Sequence, residues 1–191
     1  MTAAMSERPP ADGWTTDDLE KFPEDDIHRE LLDGVLLEFP TPSSIHQVIA
    51  MRLGVALEQT CPKHLFVSQA NEVQLSRSRL FVPDVLVASF EAAERRGGKF
   101  DAGEVVLAVE IVSPSSETMD RVLKPALYAE AGIPHFWRIE TQSGLTVHTY
   151  RLQPEDGTKV YRPSGTFKET IELTEPWLIR ISVERLRPRN M

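Results

Sequence analysis

The chain has 191 residues, 41% of them hydrophobic, which is enough to bury a full core and is a natural length for one globular unit. Its 21 Lys+Arg against 29 Asp+Glu give a formal net charge of -8, the wrong sign for non-specific adhesion to nucleic acid unless basic residues gather around one cleft. The single cysteine, Cys61, excludes an internal disulfide, no basic segment precedes an apolar run at the N-terminus, and no stretch nears the roughly 18 apolar residues of a spanning helix, so a cytoplasmic chain with no membrane partner is expected.

Residues 1–13 are small, polar and proline-containing, and predict a disordered tail ahead of one domain over 14–191. Thr15-Thr16-Asp17-Asp18 reads as a capped start to a short helix that Pro23 stops. From Arg29 to Phe39, Asp33-Gly34 between two apolar arms signals a hairpin, with Glu30 and Glu38 on the arms. Ile45, Val48, Ile49, Leu53, Ala56 and Leu57 recur at helical spacing behind a Ser44/Gln47 capping box and predict a core-packing helix over 44–59. Two strands are expected over 65–80, an exposed loop over 91–103, and a strand starting after Pro83, where a missing N–H does least harm. Ser113-Pro114-Ser115-Ser116 makes a turn into a helix that ends at Gly132, with Pro134 beyond it. A hairpin around Ser143-Gly144 follows, and then a few short strands. The order is mixed α/β: a sheet whose central strands carry Asp84 and Glu110, with helices on its faces.

Chemistry concentrates at three positions. Glu110 ends the apolar run Val105-Val106-Leu107-Ala108-Val109, a strand covered on both faces, where a lone carboxylate costs several kcal/mol unless it is paired or holds a metal. Asp84 stands at the mouth of a second buried strand, and Lys124 lies in the helical segment downstream. Two strand-borne carboxylates and a lysine are the parts of a metal-dependent phosphodiesterase site, although a buried pair of Glu110 with Lys124 or Arg138 would also satisfy the charge. Pro125 means that the helix either starts at Lys124 or bends there. His46 sits where a first-turn histidine could face the site, while His28, His64, His135 and His148 show no zinc-ligand spacing. Basic clusters at 77–79, 95–99 and 185–189 could meet phosphates. The GxSxG, GxxxxGK[ST] and GxGxxG motifs are absent.

Arg-Glu-Leu-Leu-Asp-Gly at 29–34, Val-Pro-Asp-Val at 82–85, Val-Glu-Ile-Val-Ser-Pro-Ser at 109–115, Lys124 and the stretch Leu127 to Trp137 together resemble the Uma-two family of putative restriction endonucleases, within the PD-(D/E)XK nuclease superfamily. The similarity runs from about residue 14 to at least Tyr150. It implies an α/β fold with a restriction-endonuclease-like core: a central mixed β-sheet flanked by helices, preceded by an N-terminal helix and hairpin. It also implies a metal-dependent endonuclease that hydrolyses phosphodiester bonds of DNA, with Mg²⁺ as cofactor and Mn²⁺ as substitute. Asp84 and Glu110 would be metal ligands, with the Ile111 backbone carbonyl as a third and Glu30 as an additional carboxylate. Lys124 would be the catalytic lysine, moved from the superfamily's usual place, here Val112, onto the following helix. Homodimers are common in that superfamily, because cutting both strands takes two sites. The alternative is a degenerate nuclease fold that binds nucleic acid or protein without cutting.

Overall fold

The computed structural model describes residues 9–22, 25, 27–95 and 99–189. Most of the expected tail, Pro23 and the residues 96–98 of one basic cluster lie outside them. The described chain starts with a turn in which Gly13 N–H donates to Pro10, and Trp14 N–H then reaches Gly34 in the hairpin. Helix α1 (Thr16–Leu19) follows, its first turn tied by the Thr15 N–H and hydroxyl, both donating to Asp18 at 3.1 and 2.6 Å.

The hairpin is as read: β1 (His28–Leu32) pairs antiparallel with β2 (Val35–Phe39), and Asp33 and Gly34 turn the corner at φ +48° and +81°. Positive φ at both positions matches the twist of the flanking strands. A Cβ on Gly34 would stand 3.3 Å from the Gly13 Cα, so the same glycine also lets the N-terminal segment lie against the turn.

Helix α2 (Ser44–Glu58) differs from expectation at its start. Ser43 is the cap, accepting from His46 N–H at 3.3 Å, and the Ser44/Gln47 box does not form. Ile45 is half-exposed, and the buried face begins at Ile49. The stretch 65–80 holds two strands, β3 (Leu65–Gln69) and β4 (Glu72–Ser76), with a third, β5 (Arg79–Phe81), at its end. Next come β6 (Val85–Ser89), α3 (Phe90–Glu94), β7 (Lys99–Asp101) and β8 (Val105–Ile111). In its described residues, the exposed loop expected over 91–103 is thus structured: Ala92, Phe100 and Ala102 are buried and anchor its two parts. A π-helical turn (Met119–Leu123) leads into α4 (Lys124–Ala131), which Gly132 ends in a left-handed conformation. Strands β9 (His135–Glu140), β10 (Thr146–Glu155), β11 (Thr158–Phe167), β12 (Thr170–Leu173) and β13 (Ile179–Ser182) complete the chain.

The strands form a six-stranded sheet ordered β11-β10-β9-β8-β6-β3, a five-stranded sheet ordered β2-β1-β5-β4-β7, and the β12-β13 pair. The larger sheet is mixed, with β8 and β9 parallel and its other pairs antiparallel. Alternation assigns its two faces. Val85, Val87, Leu107, Val109 and Ile111 pack with α2 and the C-terminal strands, whereas Leu86, Ala88, Ala108 and Phe136 pack with α4 and the smaller sheet. Glu110, in phase with Ala108, therefore points toward α4.

Candidate active site

Strand pairing brings the first two carboxylates together. β6 runs antiparallel to β8 with Val85 opposite Val109, so the residue before β6 lies beside the end of β8. There the Asp84 Oδ2 accepts the Ile111 N–H at 2.7 Å and lies 3.1 Å from His46 Nε2, which arrives from the first turn of α2. Glu110 is 2% exposed, and its Oε1 accepts the Tyr128 hydroxyl at 2.7 Å and lies 3.2 Å from Lys124 Nζ. Tyr128 is one helical turn after Lys124, so α4 presents both groups to the strand.

Pro125 lies in a helical run that starts at Glu117, directly after the π-helical turn over Met119–Leu123, so the run is distorted where the proline lacks its N–H. The preceding π-turn carries the chain into the helix and buries Asp120. Lys124 is 5% exposed and sits among three carboxylates, 2.8 Å from Glu30 Oε1, 3.2 Å from Glu110 and 4.0 Å from Asp120. Glu30 also accepts Val82 N–H at 3.0 Å, and His28 stands 3.6 Å away. Glu30 Oε2 is buried without a hydrogen-bond partner.

Apart from Tyr128 and Pro125, these residues line one cavity of about 270 Å³, together with Ser43 and Ser113 to Ser116. Its charge is unbalanced: four carboxylates (Glu30, Asp84, Glu110, Asp120) face one lysine and two histidines. Burial, then the charges of Asp120, Asp84 and Glu30, hold the Glu110 carboxyl far above the usual range despite Lys124. Glu30 goes the other way: burial opposes its ionisation, yet Lys124, His28 and Val82 N–H keep it below the ordinary value. Lys124 is raised even though burial works against it, because Glu110, Glu30 and Asp120 stabilise the ammonium. His46 is raised against burial by the hydrogen bond and charge of Asp84 and by the Ile111 backbone.

The donor set fits a small divalent cation. Asp84, Glu110 and the Ile111 carbonyl are hard oxygen donors of the kind Mg²⁺ takes, and Mg²⁺ keeps several waters, so it does not require a complete protein cage. Among the described residues no group of three or more His, Cys, Asp or Glu side chains is placed to hold a metal ion. The described hydrogen bonds engage one oxygen of each candidate ligand, Asp84 Oδ2 and Glu110 Oε1. The structure places Glu30 on Lys124.

A model of a family described as "Putative restriction endonuclease", Uma2, matches residues 16–184. The chain belongs to the Uma2 family. A crystal structure of a putative nuclease belonging to DUF820, from Anabaena variabilis ATCC 29413, superposes with a TM-score of 0.67 at 19% identity, covering 90% of this chain and 96% of that one. The shared fold is restriction-endonuclease-like. No curated protein matches. Membership in Uma2 supports nuclease function in general. Among the described residues of this Uma2 chain, no helix is long and apolar enough to cross a membrane.

Two lining residues escape sequence reasoning. Asp120 carries a signal in its spacing, since it lies four residues before Lys124 on one helical face, whereas His28 becomes visible only when β1 meets the loop before β6. Among the described residues, the basic clusters do not line the cavity: Arg79 pairs with Asp33 and Glu130, Arg95 with Glu104, Lys99 with Glu20 and Arg187 with Glu184.

Proposed function

We propose that this Uma2 chain is a Mg²⁺-dependent endodeoxyribonuclease, with Mn²⁺ as a substitute, acting at the cavity shared by Asp84, Glu110 and Lys124. The observation that carries this reading is the convergence of these three residues from separate elements on one cavity whose carboxylates outnumber its cations. Asp84, Glu110 and the Ile111 carbonyl would hold the cation, which when bound lowers the pKa of a coordinated water and neutralises the phosphoryl oxygens. Ile111 N–H and His46 orient Asp84 by engaging its Oδ2. Tyr128 orients Glu110 in the same way. Glu30 anchors Lys124, whose ammonium can then aim at the attacking water and steady the charge that develops on phosphate.

Purified protein should nick supercoiled plasmid with Mg²⁺ or Mn²⁺ and lose that activity in EDTA and in Asp84→Ala. A plasmid left intact under all cation conditions would refute the assignment. The tight packing of Lys124 on Glu30 and Glu110 favours a second reading, a nuclease fold that no longer cuts and serves as a nucleic-acid-binding or interaction module. DNA binding that needs no metal and survives Asp84→Ala would support that reading instead.

A further inference from the structure

The proposed reaction requires a group to take the proton from the attacking water, and the obvious candidate is poorly suited. Lys124 has carboxylate oxygens of Glu30, Glu110 and Asp120 within 4.0 Å, an environment that keeps it an ammonium with no lone pair to offer. On that reading Asp84 and Glu110 hold the cation, Glu30 is held by Lys124 and Val82 N–H, His28 stands 3.6 Å from Glu30, and His46 is hydrogen-bonded to Asp84. One lining carboxylate remains.

Asp120 is 2% exposed and borders the cavity. Its Oδ2 accepts the Ser116 hydroxyl, which fixes the carboxylate plane, and its Oδ1 stands 4.0 Å from Lys124 Nζ. That separation is too long for a direct hydrogen bond, but a water about 2.8 Å from both atoms can occupy it, donating to Asp120 and accepting from Lys124. The residue owes this position to the π-helical turn over Met119–Leu123, a local distortion frequent at functional sites.

We propose that Asp120 is the general base of the hydrolysis, a role that rests on the phosphodiesterase reading above. The water's O–H bond breaks and its proton passes to Asp120 Oδ1, while the water oxygen bonds to phosphorus. The phosphorus–oxygen bond to the leaving nucleoside breaks with its electron pair on that oxygen, which takes a proton from solvent. Asp120 then returns its proton to solvent, so the net change is water plus diester giving alcohol plus monoester. Lys124 is a positioning residue for the water, and Ser116 a positioning residue for the base.

The test compares wild type with Asp120→Asn, near-identical in shape, in single-turnover plasmid cleavage at saturating Mg²⁺, alongside Mg²⁺ calorimetry and thermal unfolding. Cleavage should fall by roughly 100- to 10,000-fold with Mg²⁺ affinity unchanged. In Asp120→Ala, which opens room for a small acid, added formate should restore part of the rate. Should Asp120→Asn fail to fold, Ser116→Ala, which keeps the carboxylate but frees its plane, should slow cleavage and leave Mg²⁺ affinity unchanged; wild-type cleavage in it would overturn the proposal. Wild-type rates in Asp120→Asn, a parallel loss of Mg²⁺ binding, or no gain from formate would also overturn it. A wild-type protein that does not cleave would instead overturn the phosphodiesterase reading itself, and the base with it.

Discussion

Lys124 is the counter-charge on which the buried cluster depends, and its neighbours should respond unequally to substitution. Lys124→Met would leave Glu30, Glu110 and Asp120 buried without a cation and should cost about 3–5 kcal/mol in urea denaturation without metal. Glu110→Gln mimics the neutral acid that burial favours and keeps an acceptor for Tyr128, so stability should hold or rise while cation binding is lost. Asp120 supplies a signed pH effect. Burial, only partly offset by Lys124 and Ser116, raises its carboxyl from 3.8 to about 6, so ionisation disfavours the folded state. The stabilising effect of the neutral acid is full below pH 4 and is lost as pH rises toward 6. In EDTA, Asp120→Asn should therefore gain stability relative to wild type across that window, by up to about 3 kcal/mol, and a constant difference would contradict the assignment. Asp84 and Glu110 are legible because carboxylates in or beside apolar runs demand partners, whereas Lys124 stands out only in the order of the family's motifs. The anchoring of Lys124 by Glu30 is not legible, because it depends on β1 meeting α4 across 94 residues of chain.

The elements that hold the site differ in how visibly they were written. The β1–β2 turn follows from Asp33-Gly34, whose backbone requirement is local, and the end of α4 follows from Gly132 for the same reason. The cap of α2 was misplaced by one residue, since Ser43 and Ser44 are chemically equal caps. That choice matters for function, because the Ser43 cap fixes the turn from which His46 reaches Asp84. Ser43→Ala should destabilise the protein by about 0.5–2 kcal/mol and weaken Mg²⁺ binding, measured by urea denaturation and calorimetry on the same preparation. Unchanged metal affinity would mean that His46 does not orient Asp84. The structured parts at 91–95 and 99–103 were missed because three buried residues, Ala92, Phe100 and Ala102, are too sparse to show a period.

As a molecule, the protein suspends its site between two sheets, and the division of strands between them could not be read from sequence, where β3 and β4 are separated by only Ala70 and Asn71. The C-terminal segment is part of the core: Ile171, Trp177, Ile179, Ile181, Val183 and Leu186 join α2 and the face of the large sheet opposite α4. Burying such side chains is worth about 1.5–3 kcal/mol each, so six of them rival the whole ~5–15 kcal/mol stability of a domain. A chain ended at Lys168 should show no cooperative thermal transition by circular dichroism; a sharp one would mean that the segment is an accessory. The most direct check on the metal-dependent reading is calorimetric titration of Mg²⁺ into wild type and the Asp84→Ala/Glu110→Ala double variant. Binding by wild type that disappears in the folded double variant is the expected result. Equal binding by both, or none by wild type, would contradict a catalytic cation at Asp84 and Glu110.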